Sequence, residues 1–482
     1  MKSAPFTWLV LAVWSSALGA WGDVSFYPAN IPAAEKGEFI FFNSGLIDPP
    51  ASEEASKDRN AGVAYLKRFR ICLTNGYKNF EGTNLDELHQ AGCEFFIYRW
   101  FNGYYEKELV REGSADQDPY YRLFPKMIGL LREIHGRPEW LVNPATPMQG
   151  AGAVHPAYFF DYAEPEFRRF FVASIKSDLE ESRYDGVFFD YIGSWALPDE
   201  VKKRWTDKHP DKTYDDCGVL FLRELRMAIG AKKIFGNQAY RLPEAYYDWI
   251  DYDVSESNAT SFMWGTEARL HLQNAGDELV RDTFYRPWDG LNGYKRTSAS
   301  RRERAVKYPH VKICDINYLQ PRRVPTGKSI DVGGQPRPFF GERPDRPAIF
   351  YSYVAAKLDN AAAFASDWYA PGTAEDDVYF LDLGRPVQAS FVETPAAVVR
   401  YYDNGFVLLT RSNGPLIFQP DPSMIPAGTT GVWDVFEGIP VRTWPTKQQV
   451  VIEPVWYPST QSYYPSGRVF MYLREIQGRI TN

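Results

Sequence analysis

Between Tyr184 and Trp195 the sequence reads YDGVFFDYIGSW, and Val187, Phe188 and Phe189 within it leave no polar face for an amphipathic helix or a half-exposed strand. Such a run reads as a strand buried on both sides, the kind found in parallel sheets covered by helices. Asp190 stands where that strand leaves the core. At period two it shares a face with Phe188 and Gly186, so its carboxylate points where the buried side chains point. A carboxylate placed there is costly unless it has a task. At the C-terminal strand ends of a parallel barrel, where active sites are built, a lone acid reads as catalytic. The competing reading is a cap on the following helix.

The same texture recurs along the chain. Strand candidates lie at Phe39–Phe42, Arg68–Gly76, in CEFFIYRWFNGYY from Cys93 before its aromatic loop, Glu139–Asn143, Val187–Phe189, Lys232–Asn237, Asp251–Glu256, from His310 to an end near Asp315, Asn317 and Tyr318, and Ala363–Asp367. Helical spacing separates them at Asn84–Gly92, Tyr120–His135, Glu164–Glu181, Gly218–Ile229 and Arg346–Ala362, and Asp58–Lys67 is a further helix candidate. Alternation of this kind predicts an α/β fold, a (β/α)8 TIM barrel, over residues 23–371 with an N-terminal extension. Nine candidates exceed the eight strands of a closed barrel, so either Phe39–Phe42 or Ala363–Asp367 is expected to lie outside it. The stretch DVGGQPRPFFGERPDRP reads as a Gly and Pro rich loop whose GGQP is a turn and not a phosphate cradle, since no helix opens at the glycines. Over residues 372–482 short β runs alternate with turns, and Asp403-Asn404-Gly405 marks a hairpin, so a C-terminal all-β sandwich is expected there.

Residues 1–22 carry Lys2, an apolar run from Phe6 to Val13 and small residues near Ala17, Gly19 and Ala20, the pattern of a signal peptide; an uncleaved anchor is the alternative. The expectation is a secreted or periplasmic protein with no membrane span after signal removal. A net charge of -7 without a basic block argues against a nucleic-acid partner. Six scattered histidines, with neither HxH nor HExxH, and no CxxC give no metal site, and no cofactor is expected. Cys72, Cys93, Cys217 and Cys314 stand singly; export permits a disulfide, but spacing does not select the pair. Oligomeric state is not legible.

A second acid, Glu256, shares parity with Tyr252 and Val254 and also ends a strand on the inward face. Two carboxylates at one end of a barrel fit glycoside hydrolysis, where one protonates the departing oxygen and the other attacks the anomeric carbon or activates water. The alternative for Glu256 is a salt bridge with Arg241 or Arg269. Asp315 and Asp367 are rivals for the acid role, or hydroxyl binders. Arg99, Trp100, Asn102, Asn143, His155, Tyr191, Trp195, Asn237, Gln238, Arg241, Tyr318 and Trp368 fall at or just past strand ends. As a set they offer amides and arginines for hydroxyls and rings for sugar faces, so they are the candidate substrate-binding residues.

YDGVFFDYIGSW resembles the DGVFLD-type strand of barrel glycosidases, and WIDYDVSES resembles their later strand ending in Glu-Ser. With FGNQAYR between them, the pair is similar to glycosyl hydrolases allied to endo-α-1,4-polygalactosaminidases and to the wider α-glycosidase barrels. YYDNGFVLLTRSN resembles the strand pair that opens the β domain after such barrels. The resemblance implies a glycosidase with Asp190 as nucleophile or base and Glu256 as acid, acting on a carbohydrate substrate. Two other readings stand beside it. One is a carbohydrate-binding barrel without turnover; the other is an esterase or deacetylase, disfavoured because no GxSxG follows a strand.

Overall fold

The computed structural model describes residues 31–42, 63–64, 66–74, 83–110, 125–142, 144–149, 154–256, 258–262, 283–289, 293–317, 322–332, 335–343, 345–366, 378–442, 444, 447–457 and 462–474. The leader expected over residues 1–22, Asn143, Tyr318, Asp367, Trp368 and most of Asp58–Lys67 lie outside the described residues.

Eight parallel strands close a barrel. In chain order they are β1 (Gly37–Phe42), β2 (Phe69–Thr74), β3 (Glu94–Trp100), β7 (Gly186–Asp190), β8 (Lys233–Asn237), β9 (Tyr252–Glu256), β12 (Lys312–Ile316) and β15 (Ala362–Ser366). Both terminal candidates belong to the barrel, since β1 pairs with β15 on one side and β2 on the other. The run that drops out is Glu139–Asn143. Pro138 opens a 3-10 turn through Trp140, and Leu141 then makes only an isolated bridge to Phe160. Trp140 packs on Phe167 and Phe170, so this apolar run covers a helix and not the barrel.

The barrel interior is filled by one side of each strand: Phe39, Leu73, Phe96, Phe188, Phe235, Tyr252, Val254, Cys314 and Ile316 form its cluster. The opposite side, with Phe95, Ile97, Val187, Phe189 and Ile234, joins the larger core beneath the helices. Helices α1 (Thr83–Gln90), α2 (Pro125–His135), α3 (Pro165–Ser182), α4 (Asp199–Lys208), α5 (Tyr214–Ile229), α6 (Lys295–Lys307) and α7 (Arg346–Leu358) supply that layer. Gly186 is needed at the start of β7 because a Cβ there would sit 2.1 Å from the Lys233 carbonyl oxygen of β8.

Between β3 and β7 the chain builds a small antiparallel sheet, β4 (Gly103–Tyr105), β6 (Val154–Phe159) and β5 (Thr146–Gln149), in the order β4-β6-β5. After β9 come the paired strands β10 (Thr260–Phe262) and β11 (Thr283–Tyr285). The Gly and Pro rich stretch after β12 is not a loop: β13 (Arg322–Val332) and β14 (Gln335–Arg343) form a long antiparallel hairpin. Its prolines read as strand breakers, but a two-stranded ribbon leaves alternate N–H groups unpaired, so prolines are tolerated.

The C-terminal region is all-β and includes the antiparallel pair β23 (Val455–Tyr457) and β24 (Ser462–Tyr464). A six-stranded antiparallel sheet runs β16 (Val392–Glu393), β17 (Ala397–Tyr402), β18 (Gly405–Thr410), β25 (Gly467–Arg474), β20 (Thr429–Asp434) and β21 (Ile439–Pro440). The expected turn is present, with Tyr402 opposite Gly405 and Asp403-Asn404 between them. One face of this sheet, with Val398, Val407, Val469 and Met471, joins the barrel core. The other, with Val399, Phe406, Leu408 and Phe470, packs under the strand pair β19 (Leu416–Phe418) and β22 (Val450–Ile452). Burial on both faces explains why AVVRYY and GFVLLT show no polar alternation.

Candidate active site

Asp190 and Glu256 are the last residues of β7 and β9, on the strand faces that line the barrel interior. Between those strands lies β8, whose last residue is Asn237. The Asn237 amide nitrogen donates to Asp190 Oδ1 at 2.8 Å and to Glu256 Oε2 at 2.5 Å. Each of its two hydrogens serves one carboxylate. The two bond lengths together bound the separation of those oxygens at about 5.3 Å.

Asp190 has two further donors, the Tyr98 hydroxyl at 2.5 Å to Oδ2 and its neighbour's backbone, Tyr191 N, at 2.8 Å to Oδ1. Tyr98 shares the interior face of β3 with Phe96. Burial pushes the Asp190 carboxyl above its ordinary value, and the bonds from Tyr98, Asn237 and Tyr191 oppose that rise by stabilising the ionised form. Asp190 therefore holds no helix cap. It sits in a polar cradle.

The residues that follow β7 and β8 take left-handed backbone conformations, Tyr191 at φ 52° and Gln238 at φ 60°. For non-glycine residues this costs on the order of 1–3 kcal/mol each and persists where the surroundings enforce it. Here Tyr191 N is held by the Asp190 carboxylate and Gln238 N by the Val254 carbonyl at 2.6 Å. The turn throws the Tyr191 ring sideways into a row of aromatics. Trp100 lies 5.3 Å from Tyr191 and 4.7 Å from Tyr105, between centroids. Trp195 stacks on Tyr191 at 6.3 Å, and His155 of β6 meets the edge of Tyr105 at 5.8 Å. Arg241, exposed, places its guanidinium 5.1 Å over the Trp195 ring. Burial first, then the charges of Asp190 and Glu256 among others, raises the Tyr191 phenol, which puts this ring beside both acids. Asn237 Oδ1, Gln238 Oε1, Trp100 Nε1 and Trp195 Nε1 are buried without a protein partner, an unused hydrogen-bonding capacity concentrated around the strand ends.

Three candidate binding residues belong elsewhere. Arg99 has the opposite parity to Tyr98, so it points into the helix layer and pairs with Asp178 of α3. Asp315 likewise alternates with the interior residues Cys314 and Ile316; it is fully buried against Arg301 of α6 at 2.5 Å. Neither can touch a substrate in the barrel mouth. Asn102 is 1 % exposed and both ends of its amide are used, donating to the Gly193 carbonyl at 2.8 Å and accepting from Tyr214 at 3.2 Å. It braces the turn that carries Trp195. Tyr98 is not among the candidates; it shares parity with Phe96, but the sequence does not mark that face as the interior one.

A cavity of about 420 Å³, lined by Ser194, Trp205, His209, Lys212 and Tyr214 among others, lies beside the loop carrying Trp195 and includes neither acid. Among the described residues, Asp161, Glu164 and His209 are the group whose ligand atoms converge as a metal site would require. The Asp161 carboxylate there already holds the Lys208 ammonium at 2.6 Å and His209 at 2.8 Å.

The sequence matches no family model and no curated protein. Among solved structures it is similar to the glycoside hydrolase domain of PelA from Pseudomonas aeruginosa, at 12 % identity and a TM-score of 0.41 over 69 % of this chain and 96 % of that one. It is also similar to the maltogenic alpha-amylase AmyB from Thermotoga neapolitana, at 11 % identity and a TM-score of 0.48 over 90 % of this chain and 98 % of that one. An alpha-amylase from Geobacillus thermoleovorans matches at 10 % identity and a TM-score of 0.45, over 90 % and 98 %. These are likenesses of form; the chemistry of this chain rests on its own side chains.

Proposed function

We propose that the protein is an exported glycoside hydrolase that cleaves O-glycosidic bonds of an oligo- or polysaccharide, with Asp190 and Glu256 as its working carboxylates. The observation that carries this reading is the Asn237 amide nitrogen held between the two acids at the mouth of a parallel barrel. The shared amide nitrogen brings one oxygen of each carboxyl within about 5.3 Å of the other, so both acids can act on one anomeric centre, and the double displacement of retention is the mechanism we propose for them.

Asp190, fixed by three donors, is the nucleophile. Its free oxygen lone pair attacks the anomeric carbon as the bond to the leaving oxygen breaks, and Glu256 delivers its proton to that oxygen. In the second half Glu256, now ionised, takes a proton from water. That water attacks the anomeric carbon and releases Asp190. The half-buried rings of Tyr105, Tyr191 and Trp195, backed by the buried Trp100, are the surfaces against which sugar C–H faces would pack.

A polysaccharide panel read by release of reducing ends tests the proposal. Asp190→Asn and Glu256→Gln should each lower turnover by about 10²–10⁴-fold on a good substrate, with the protein still folded. NMR of the first product should show the parent anomeric configuration. Full turnover by Asp190→Asn would remove its catalytic role. Sugar binding that survives both substitutions, with no reducing ends from the parent, would favour the carbohydrate-binding barrel instead.

A further inference from the structure

At the end of the barrel opposite the acids, two of the four cysteines meet. Cys72 lies in β2, and Cys93 directly precedes β3, the strand beside it. Both thiols are buried. Both also turn toward one acceptor, the Leu66 carbonyl oxygen, at 3.9 Å from Cys72 Sγ and 3.4 Å from Cys93 Sγ. Cys93 Sγ is 3.0 Å from the Phe69 carbonyl as well. Cys217, on α5, and Cys314, inside the barrel, lie in other parts of the core.

The surroundings distinguish the two sulfurs. The Lys36 ammonium, anchored on the Lys67 and Ala91 carbonyls, lies 3.9 Å from Cys93 Sγ. The neighbouring Cys72 thiol and the Lys36 charge draw the Cys93 thiol below its ordinary value against the opposing effect of burial, while burial pushes the Cys72 thiol well up. A thiolate-prone sulfur beside a second thiol is the arrangement of an attacking and a resolving cysteine.

We infer that Cys72 and Cys93 are a disulfide-forming pair, a modification site that takes a small-molecule or protein disulfide as its oxidant and staples β2 to β3 at the N-terminal rim of the barrel. The exchange balances in two steps. Because both sulfurs are closed off from solvent once folded, the exchange begins while β2 and β3 assemble or open: the Cys93 thiolate attacks one sulfur of the oxidant disulfide, forming a mixed disulfide and releasing one thiolate. Cys72, giving up its proton, then attacks the Cys93 sulfur; the second thiolate leaves and the Cys72–Cys93 bond forms. Two thiols are oxidised by two electrons, and one disulfide is reduced to two thiols that take up the protons. The bond links residues on either side of α1, and the loop it closes would lower the entropy of the unfolded chain.

The test uses oxidised glutathione. The full chain is incubated natively with it, and separately refolded from the reduced, denatured state in a glutathione couple. Both samples are quenched, alkylated in denaturant and mapped without reduction. A linked peptide joining Cys72 to Cys93, with Cys217 and Cys314 alkylated, is expected in at least the refolded sample. A thermal midpoint a few degrees higher than that of the reduced protein is expected with it. In Cys72→Ser the glutathione adduct should be trapped on Cys93, whereas Cys93→Ser should leave Cys72 alkylated. Alkylation of both cysteines under both regimes, or a bridge to Cys217 or Cys314, overturns the pairing.

Discussion

Asp190 gathers the opposing forces of the site into one side chain. Burial alone raises its carboxyl, which at neutral pH works against an ionised nucleophile; the Tyr98 hydroxyl, the Asn237 amide and the Tyr191 N–H work the other way. For an acid that must be ionised to attack, activity is lost as pH falls through its folded value. The low-pH limb of kcat/KM is therefore expected above the ordinary aspartate range. Removing a donor that favours the ionised form raises the carboxyl further, so Tyr98→Phe and Asn237→Ala should both move that limb toward neutral pH. Asn237→Ala also frees Glu256 from its bond and should lower kcat by about 10²–10³-fold, comparable to losing a fixed hydrogen-bond donor in other active sites. A pH–rate series on the two variants checks the direction, and an unmoved limb in both would detach Asn237 and Tyr98 from the titration of Asp190. The aromatic row makes a separate forecast. Trp195→Ala removes one sugar platform and the surface under Arg241, so KM should rise about tenfold or more with kcat little changed, read by steady-state kinetics.

At the scale of the element, parity along each strand decides which strand-end residues face the mouth. Asp315 illustrates it: one residue away from an interior position, it is locked to Arg301, which also lies 3.8 Å from Asp359. Asp315→Ala should leave the buried Arg301 guanidinium with only the more distant Asp359 as counter-charge and cost about 3–5 kcal/mol in urea unfolding, with KM of the surviving folded fraction unchanged. A rise in KM without loss of stability would return Asp315 to the cleft. The same parity was readable in the sequence for Asp190 and Glu256, where each acid alternates with residues that proved to be interior. It was not decisive for Arg99, because Phe95, Phe96, Ile97 and Tyr98 are apolar or aromatic on both faces and nothing in the run marks which one lines the barrel. Asn102 lies beyond the strand, where no period applies. Glu139–Asn143 misleads for a related reason: Trp140, Leu141 and Val142 are as apolar as a buried strand, and only the packing of Trp140 against α3 reveals another use. The Asn237 bridge was out of reach, since it exists only once β8 is inserted between β7 and β9.

The whole molecule is joined through α7. Every residue from Ala348 to Leu358 is buried, so this helix has no solvent face and serves as common core for the barrel and the C-terminal sheet. The sheet also completes the helix chemically. Carbonyls at a helix C-terminus lack intrahelical donors, and here Tyr402 of β17 donates to the Lys357 carbonyl at 2.5 Å and Arg400 to that of Leu358 at 2.7 Å. At the other end Arg346 donates to the Val435 and Phe436 carbonyls at 2.8 and 3.0 Å. Removing residues 372–482 would expose an apolar helix and leave its last carbonyls unpaired. Barrel and sheet should therefore unfold together, in one transition by both calorimetry and tryptophan fluorescence, and a chain ending at Pro371 should be recovered only as aggregate. Gly467 gives a finer probe, because a Cβ there would lie 2.7 Å from the Phe350 carbonyl oxygen and from Tyr351 Cα. Gly467→Val must push β25 off α7, and overpacking of this kind costs about 1–3 kcal/mol. The expected signature is a lower midpoint with the single transition preserved or split. Two separate transitions in the parent protein would show that the sheet stands independently and that α7 belongs to the barrel alone.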